Sequence, residues 1–353
     1  MLTLLRKVRR NLIQNMSDTK ASSKIISYFF YALGEIVLVV IGILIAVGIN
    51  GKYTDSRNDK KVQTILRQMQ QELLLDMTDA RRICGVFIQR DSLAQAIYND
   101  EVVVDTRFDL GKAVINDFYV SFTTKRDAYN RLMQNLEILP EKYHELLPMI
   151  SYLYIELQND IDDYNAILKN TVINNKATFQ DPRAADIMLG KSSLDETIDF
   201  FLRDPFLKNN TISYLNDLGN ITQAANNYRI KGIELYKKID RILGHGTMVE
   251  PEIVKQLPYP GTIAGFTGNY SFSFSTYPVP FDSLTVSIKI ENRHLISSSA
   301  RVNRVDLYWD KDTFFFEEGG LNISHFYRNA NGQRTMEVSD GRAHYFFTHS
   351  DDL

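Results

Sequence analysis

The chain is poor in the residues and motifs that most readily betray chemistry. Of 353 residues, one is cysteine, Cys84. One cysteine excludes an intrachain disulfide, a cysteine-rich zinc site and a CxxC redox pair. It leaves two readings, a small buried hydrophobe or a symmetric disulfide between two copies. A lone cysteine suits the cytosol, and equally a large periplasmic protein whose core needs no staples. The formal net charge is -3, which gives no electrostatic footprint for nucleic acid. No GxSxG elbow, P-loop, HExxH helix or kinase set occurs in the sequence. The acidic run "NDIDDY" lacks the glycine and ligand spacing of a calcium loop and reads as a solvated helix face. His294, His325, His344 and His349 form no HxH pattern and read as scattered strand histidines. No cofactor and no metal are expected.

One long apolar run stands against this plain background: "YFFYALGEIVLVVIGILIAVGIN", Tyr28 to Asn50. From Ile36 to Ile49 no side chain is polar. With the aromatic residues before it, the run spans a hydrocarbon core of about 30 Å at about 1.5 Å per residue. Tyr28 and Tyr31 fall at the headgroup level, where aromatic belts sit. Ala46-Val47-Gly48 resembles a signal-peptide cleavage site, but secretory apolar regions are only about 7–15 residues long. An uncleaved anchor is therefore expected. Arg6, Lys7, Arg9, Arg10, Lys20 and Lys24 precede the run against one acid, Asp18. Lys52, Arg57, Lys60 and Lys61 follow it, diluted by Asp55 and Asp59. The positive-inside rule then predicts a cytoplasmic N-terminus, one crossing, and everything after Asn50 outside. The leader "MLTLLRKVRRNLIQNM" carries Leu5, Val8, Leu12 and Met16 at helical spacing. It reads either as a basic amphipathic helix on an anionic leaflet or as a topogenic charge cluster.

Glu35 is the ionisable residue inside the run. At about 100° per residue, Gly42 and Ala46 each lie about 20° from it around a helix. The acid and a small-xxx-small pair therefore share a stripe, which lets a second backbone approach. Tyr31, one turn away, completes an expected interface of Tyr31, Glu35, Gly42 and Ala46. The partner is a second copy or another membrane protein. The alternatives are a carboxyl that reaches the cytoplasmic interface or stays protonated, and a proton or ion pathway that one helix cannot build alone.

"YALGEIVLVVIGILIA", followed by "IN" and preceded by a basic leader, resembles the signature of an uncharacterised family of single-pass inner-membrane proteins of Gram-negative bacteria. "AYNRLMQNLEILPEKYHELLPMISYLY" resembles its helical region more loosely. The resemblance implies location and architecture, an external helical region without assigned activity, and no catalytic residues. "VGINGKYTD" departs from members that carry Gln before the Asn and Trp just after it.

Beyond the run the apolar period is helical. Val62, Leu66, Met69, Leu73, Ala80, Ile83, Phe87, Ala94 and Ile97 predict a helix over 58–98, with gaps at Asp76 and Arg90. Short helices follow near 110–122 and 125–136. Pro140 opens a longer one with Tyr143, Leu147, Ile150, Leu153, Tyr154, Leu157, Ile161 and Tyr164 on its apolar face. "NNKATFQDPRAAD" reads as a loop and 194–202 as helix. Asp204-Pro205 reads as an N-cap with Pro at the first helical position. Gly244 reads as the stop of the last helix, with Gly219 a potential break. After a Pro/Gly-containing linker the period becomes two. "NYSFSF", "LTVSIKI", "HLISSSA", "VDLYW", "TFFFEE", "ISHFYR", "RTMEVS" and "AHYFFT" read as strands joined by tight turns. Gly268-x-Tyr270, "LTVSIKIEN", "TFFF" and the Asn331-Gly332 hairpin resemble small β domains appended to exported bacterial hydrolases, which are usually non-catalytic.

The expected architecture is a single transmembrane helix, an α-helical bundle and a C-terminal all-β antiparallel sandwich or open barrel. The segments are 1–24 cytoplasmic, 28–50 membrane, 57–244 bundle, 245–262 linker and 263–353 β domain. The expected function is a membrane-anchored periplasmic interaction or scaffold protein of the cell envelope, not an enzyme, with the lipid bilayer and itself or another membrane protein as partners. An envelope sensor subunit binding a small ligand, and an unrecognised hydrolase, are the alternatives.

Overall fold

The computed structural model describes residues 21–244, 251, 253–254, 261–276, 283–291, 294–311, 313–317, 322–340 and 343–352. The basic leader with Leu5, Val8, Leu12 and Met16 lies outside the described residues, as do most of the linker and parts of several expected turns. The chain divides into two compact units, residues 1–62 with 138–140, and 63–137 with 141–353.

The first unit holds the apolar part of helix α1 (Ala21–Tyr98). Its most apolar window has a mean hydropathy of 2.8 and none of it is buried, so the helix is long and apolar enough to cross a membrane. The expected span over 28–50 and the expected helix over 58–98 are parts of one continuous helix. Gly51 costs a helix only about 1 kcal/mol, and no proline stops the chain there.

In the second unit the predicted apolar face of α1 is buried from Leu66 to Ile97. It packs against helix α8 (Pro205–Leu243). The two approach closely at Gly232, where a Cβ would lie 3.3 Å from the Met77 side chain. The gap at Asp76 has a structural reason. Its Oδ2 accepts the Lys125 amide at 3.0 Å and the Tyr228 hydroxyl at 3.1 Å, while Glu72 accepts the Ala128 amide at 3.0 Å. Two acids on α1 thus satisfy the amides that open the short helix α3 (Asp127–Met133). Burial pushes Asp76 up to about 6.

Other helices depart from expectation. Helix α2 (Arg107–Ala113) stops well before Phe122. The helix expected from Pro140 is a composite. A 3-10 turn (Glu141–Leu146), α4 (Leu147–Ser151), a π segment (Tyr152–Glu156) and α5 (Leu157–Lys176) follow one another. These changes of pitch shift the buried face, so that Leu146 is buried where Leu147 was expected. Tyr154 still reaches the core, stacked on Tyr129 at 4.9 Å. The expected loop contains α6 (Pro182–Met188), which Asp181 caps. Helix α7 (Leu194–Ile198) opens with a capping box between Ser193 and Glu196. Asp204 caps α8, Gly219 does not interrupt it, and Gly244 ends it in the left-handed conformation.

The expected strands all form: β1 (Gly268–Ser275), β2 (Thr285–Glu291), β3 (His294–Ser299), β4 (Val305–Lys311), β5 (Phe314–Glu317), β6 (Ile323–Arg328), β7 (Arg334–Ser339) and β8 (His344–His349). The sandwich or open barrel is corrected. Each strand pairs antiparallel with its neighbours in sequence, and β1 also pairs with β8, so the barrel is closed. Bulges between Phe272 and Phe274 and between Trp309 and Lys311 bend the strands that must curl. Closure leaves no open sheet edge.

One end of the barrel is packed with rings. The turn Ile263–Phe266 brings Phe266 within 5.6 Å of Phe315 and 5.0 Å of Phe326. Tyr270 donates its hydroxyl to the Phe266 carbonyl at 3.0 Å. Gly268 has φ +136°, and a Cβ there would fall 1.9 Å from His349 Nε2. Gly268→Ala is therefore expected to destabilise the barrel by about 3 kcal/mol or more, from overpacking and backbone strain together. Thermal unfolding followed by the near-ultraviolet signal of Trp309 measures it; a melting curve like that of the wild type would refute this account.

Candidate functional site

The other end of the barrel is not filled. Strand β3 turns Leu295, Ser297 and Ser299 to one face, opposite Ile290, Ile288 and Val286 of β2. Leu295 fills the core, whereas the serines are too small to do so. A cavity of about 260 Å³ results, walled by Leu284, Val286, Val305, Met336, Val338 and Phe347. Its polar residues are Ser297, Ser299, Glu317, Asn322, Asp340 and Tyr345. Asp340 accepts the Tyr345 hydroxyl and the Ala343 amide, both at 2.9 Å. Glu317, at 9% exposure, accepts the Asn322 amide on Oε2 at 2.7 Å. Its Oε1 has no hydrogen-bond partner among the described residues. Burial pushes Glu317 up to about 6.

The outer wall of the barrel carries a second assembly, against α1. His344 Nδ1 donates to Glu337 Oε1 at 2.7 Å and Nε2 to Asp91 Oδ1 at 3.1 Å. The Gln95 amide nitrogen lies against the ring, 2.8 Å from Nδ1 and 2.6 Å from Nε2. Ser339 donates to Asp91 at 3.4 Å, and His325 lies 3.6 Å from the other oxygen of Glu337. Burial alone would lower His344, but the bonds to Asp91 and Glu337 outweigh it and raise it to about 9. Burial would raise Glu337, but His325 and His344 hold it down at about 2. Asp91, Gln95, His325, Glu337 and Ser339 of this clamp line a cleft of about 420 Å³, together with residues such as Ile88, Phe314 and Ile323. A further contact joins α8 to β4: Arg229 meets Asp310 at 2.5 Å with both side chains buried.

With both ring nitrogens protonated, the state that its raised pKa favours, His344 bonds both carboxylates. The four strand histidines do not gather. His325 and His344 share Glu337, while His294 faces Tyr308 and His349 packs on Tyr270. Cys84 has no exposed surface, and burial pushes its thiol up to about 12. The sequence carried no local signal for the clamp, because Asp91 and His344 are 253 residues apart. Tyr31, Glu35, Gly42 and Ala46 all lie on α1 at spacings of about one or two turns, and so share a face. Among the described residues, nothing lies within 4 Å of a Cβ built on Gly42. No known protein family, curated protein or solved structure matches the chain.

The clamp has a defined pH window. His344 is raised above its ordinary value of 6.5, so its contribution is full below that value and is lost as pH rises through about 9. Glu337 is lowered from 4.5, so its contribution is full above that value and is lost as pH falls through about 2. His344→Gln is expected to cost about 3 kcal/mol near pH 6 and to flatten the alkaline limb of stability. Urea unfolding of the full chain in detergent across pH tests it. An alkaline limb that survives in the variant would assign that limb to other groups.

Proposed function

We propose that this chain is a membrane-anchored binding protein of the bacterial cell envelope, without catalytic activity of its own, whose barrel mouth takes a small ligand. The observation that carries the reading is the cavity at one end of an otherwise filled barrel, with apolar walls and one open carboxylate. Small eight-stranded barrels either fill with side chains or hold one small ligand, and here the filling stops at Ser297 and Ser299. The apolar helix supplies the anchor. The charge bias around it supports a cytoplasmic N-terminus and a periplasmic barrel. The resemblance of the span to single-pass inner-membrane proteins points the same way. The pairing of His344 with Asp91 and Glu337 supports a structural role for that assembly.

Ser297→Leu fills the mouth without touching the outer wall. The low-molecular-mass fraction of the native envelope is expected to raise the melting temperature of the full chain in detergent and to leave Ser297→Leu unmoved. Equal responses of the two would overturn the reading. A scaffold role would then stand on Met188, Leu189 and Phe206, which are about two-thirds exposed on the helical surface.

The span is proposed to self-associate, or to dock on a partner helix, through Tyr31, Glu35, Gly42 and Ala46. Gly42→Ile is expected to weaken association by placing bulk where backbones approach. Glu35→Leu is expected to cost about 1 kcal/mol, the scale of one interhelical hydrogen bond in lipid. A two-hybrid assay of the span in its native membrane measures self-association. Wild-type signal from both variants would exclude the homotypic interface.

A further inference from the structure

We infer that the barrel mouth binds a small organic cation, an amine carrying a short apolar group, with Glu317 as its counter-ion. The inference rests on reading the mouth as a ligand site and adds the ligand's chemistry.

Glu317 is the last inward-facing residue of β5, one pleat beyond the core residue Phe315. Alternation along the strand therefore directs its side chain into the barrel. A buried carboxylate is normally matched by a cation or by several donors. Glu317 has one side-chain donor, Asn322, on one oxygen. Among the described residues that line the mouth there is no lysine or arginine. The other acid there, Asp340, already accepts the Tyr345 hydroxyl and a backbone amide. These are the described titratable groups that share the space with Glu317. The other oxygen of Glu317, without a hydrogen-bond partner among the described residues, is left to the cavity.

An ammonium or similar cation supplies what that oxygen lacks, a charge-assisted hydrogen bond in a place of low dielectric. Leu284, Val286, Val338 and Phe347 then cover the apolar part of the ligand, and the hydroxyls of Ser297 and Ser299 face it across the cavity. At about 260 Å³ the space is smaller than the roughly 300–1,000 Å³ of sites for drug-sized molecules. A short alkyl or aryl amine is the matching size. An anion of the same shape would meet two carboxylates and is excluded by charge.

The test uses three probes of one shape, 2-phenylethylamine, 2-phenylethanol and 3-phenylpropionate, titrated calorimetrically into the full chain in detergent micelles. The Ser297→Leu chain in the same micelles subtracts partitioning into detergent. The amine is expected to bind saturably at millimolar concentration, the alcohol about tenfold more weakly or worse, and the acid not at all. Glu317→Gln keeps the acceptor for Asn322 and removes the charge, so amine and alcohol should become equal. In the wild type, amine affinity should fall as pH drops from about 8 to about 5, across the value near 6 to which burial lifts Glu317. This pH arm decides the matter if Glu317→Gln does not fold. If amine and alcohol bind the wild type alike, and neither binds Ser297→Leu, the cation is wrong and the mouth remains a ligand site. If no probe distinguishes the wild type from Ser297→Leu, both readings fall.

Discussion

The buried pair between Arg229 of α8 and Asp310 of β4 is the constraint on which the second compact unit depends. Each charge would be costly alone in that position, and each makes the other tolerable. Arg81 of α1 adds a hydrogen bond to the Asp310 carbonyl at 3.3 Å, so two helices converge on one bulged strand. The Phe316 ring lies under the Arg229 guanidinium at 5.9 Å. An apolar contact of equal area would tolerate sliding. A buried ion pair with a fixed donor fork tolerates much less, and it sets which strands of the barrel face the helices. The His344 clamp, on a different part of the outer wall, then removes rotation about that point.

The barrel separates two jobs along its own axis. At the end closed by Phe266, aromatic rings pack against one another, most of them edge to face. At the other end, serine replaces leucine at equivalent inward positions of one strand. The difference is a matter of side-chain volume at alternate residues. It requires no change in strand number or pairing. Among the described residues, the polar pairs that fix the barrel to the helices lie on its outer wall, so the interior is free to vary in polarity without loosening the fold.

Much of this was legible in the sequence. The strands were marked by period-two alternation and by Gly/Asn turns, and the first helical face by three- and four-residue steps. Asp204-Pro205 and Gly244 marked the ends of α8 through cap chemistry that acts over a few residues. What was not legible depends on distance along the chain. Closure of the barrel needs β1 to find β8. The clamp needs a helix residue to find a strand residue across most of the protein. The composite helix between Glu141 and Lys176 kept its apolar spacing, which hid its changes of pitch. Asp76 looked like an interruption of an apolar face because its partners, Lys125 and Tyr228, lie on other segments. Glu317 sat in the run "TFFFEE" as one acid among two. Only the closed barrel separates it from a solvent-facing residue.

Cys84 has a consequence of a different kind. It is the sole thiol of the chain, it lies on the buried face of α1, and Arg229 and Asp310 are near enough to influence its charge. A reagent cannot reach it while the helices stay packed. Alkylation of the native protein must therefore wait for a local opening, and when openings are brief its rate counts how often, and for how long, the helical core is breached. The protein thus contains its own clock for the motions of the region around the Arg229–Asp310 pair, without any introduced label.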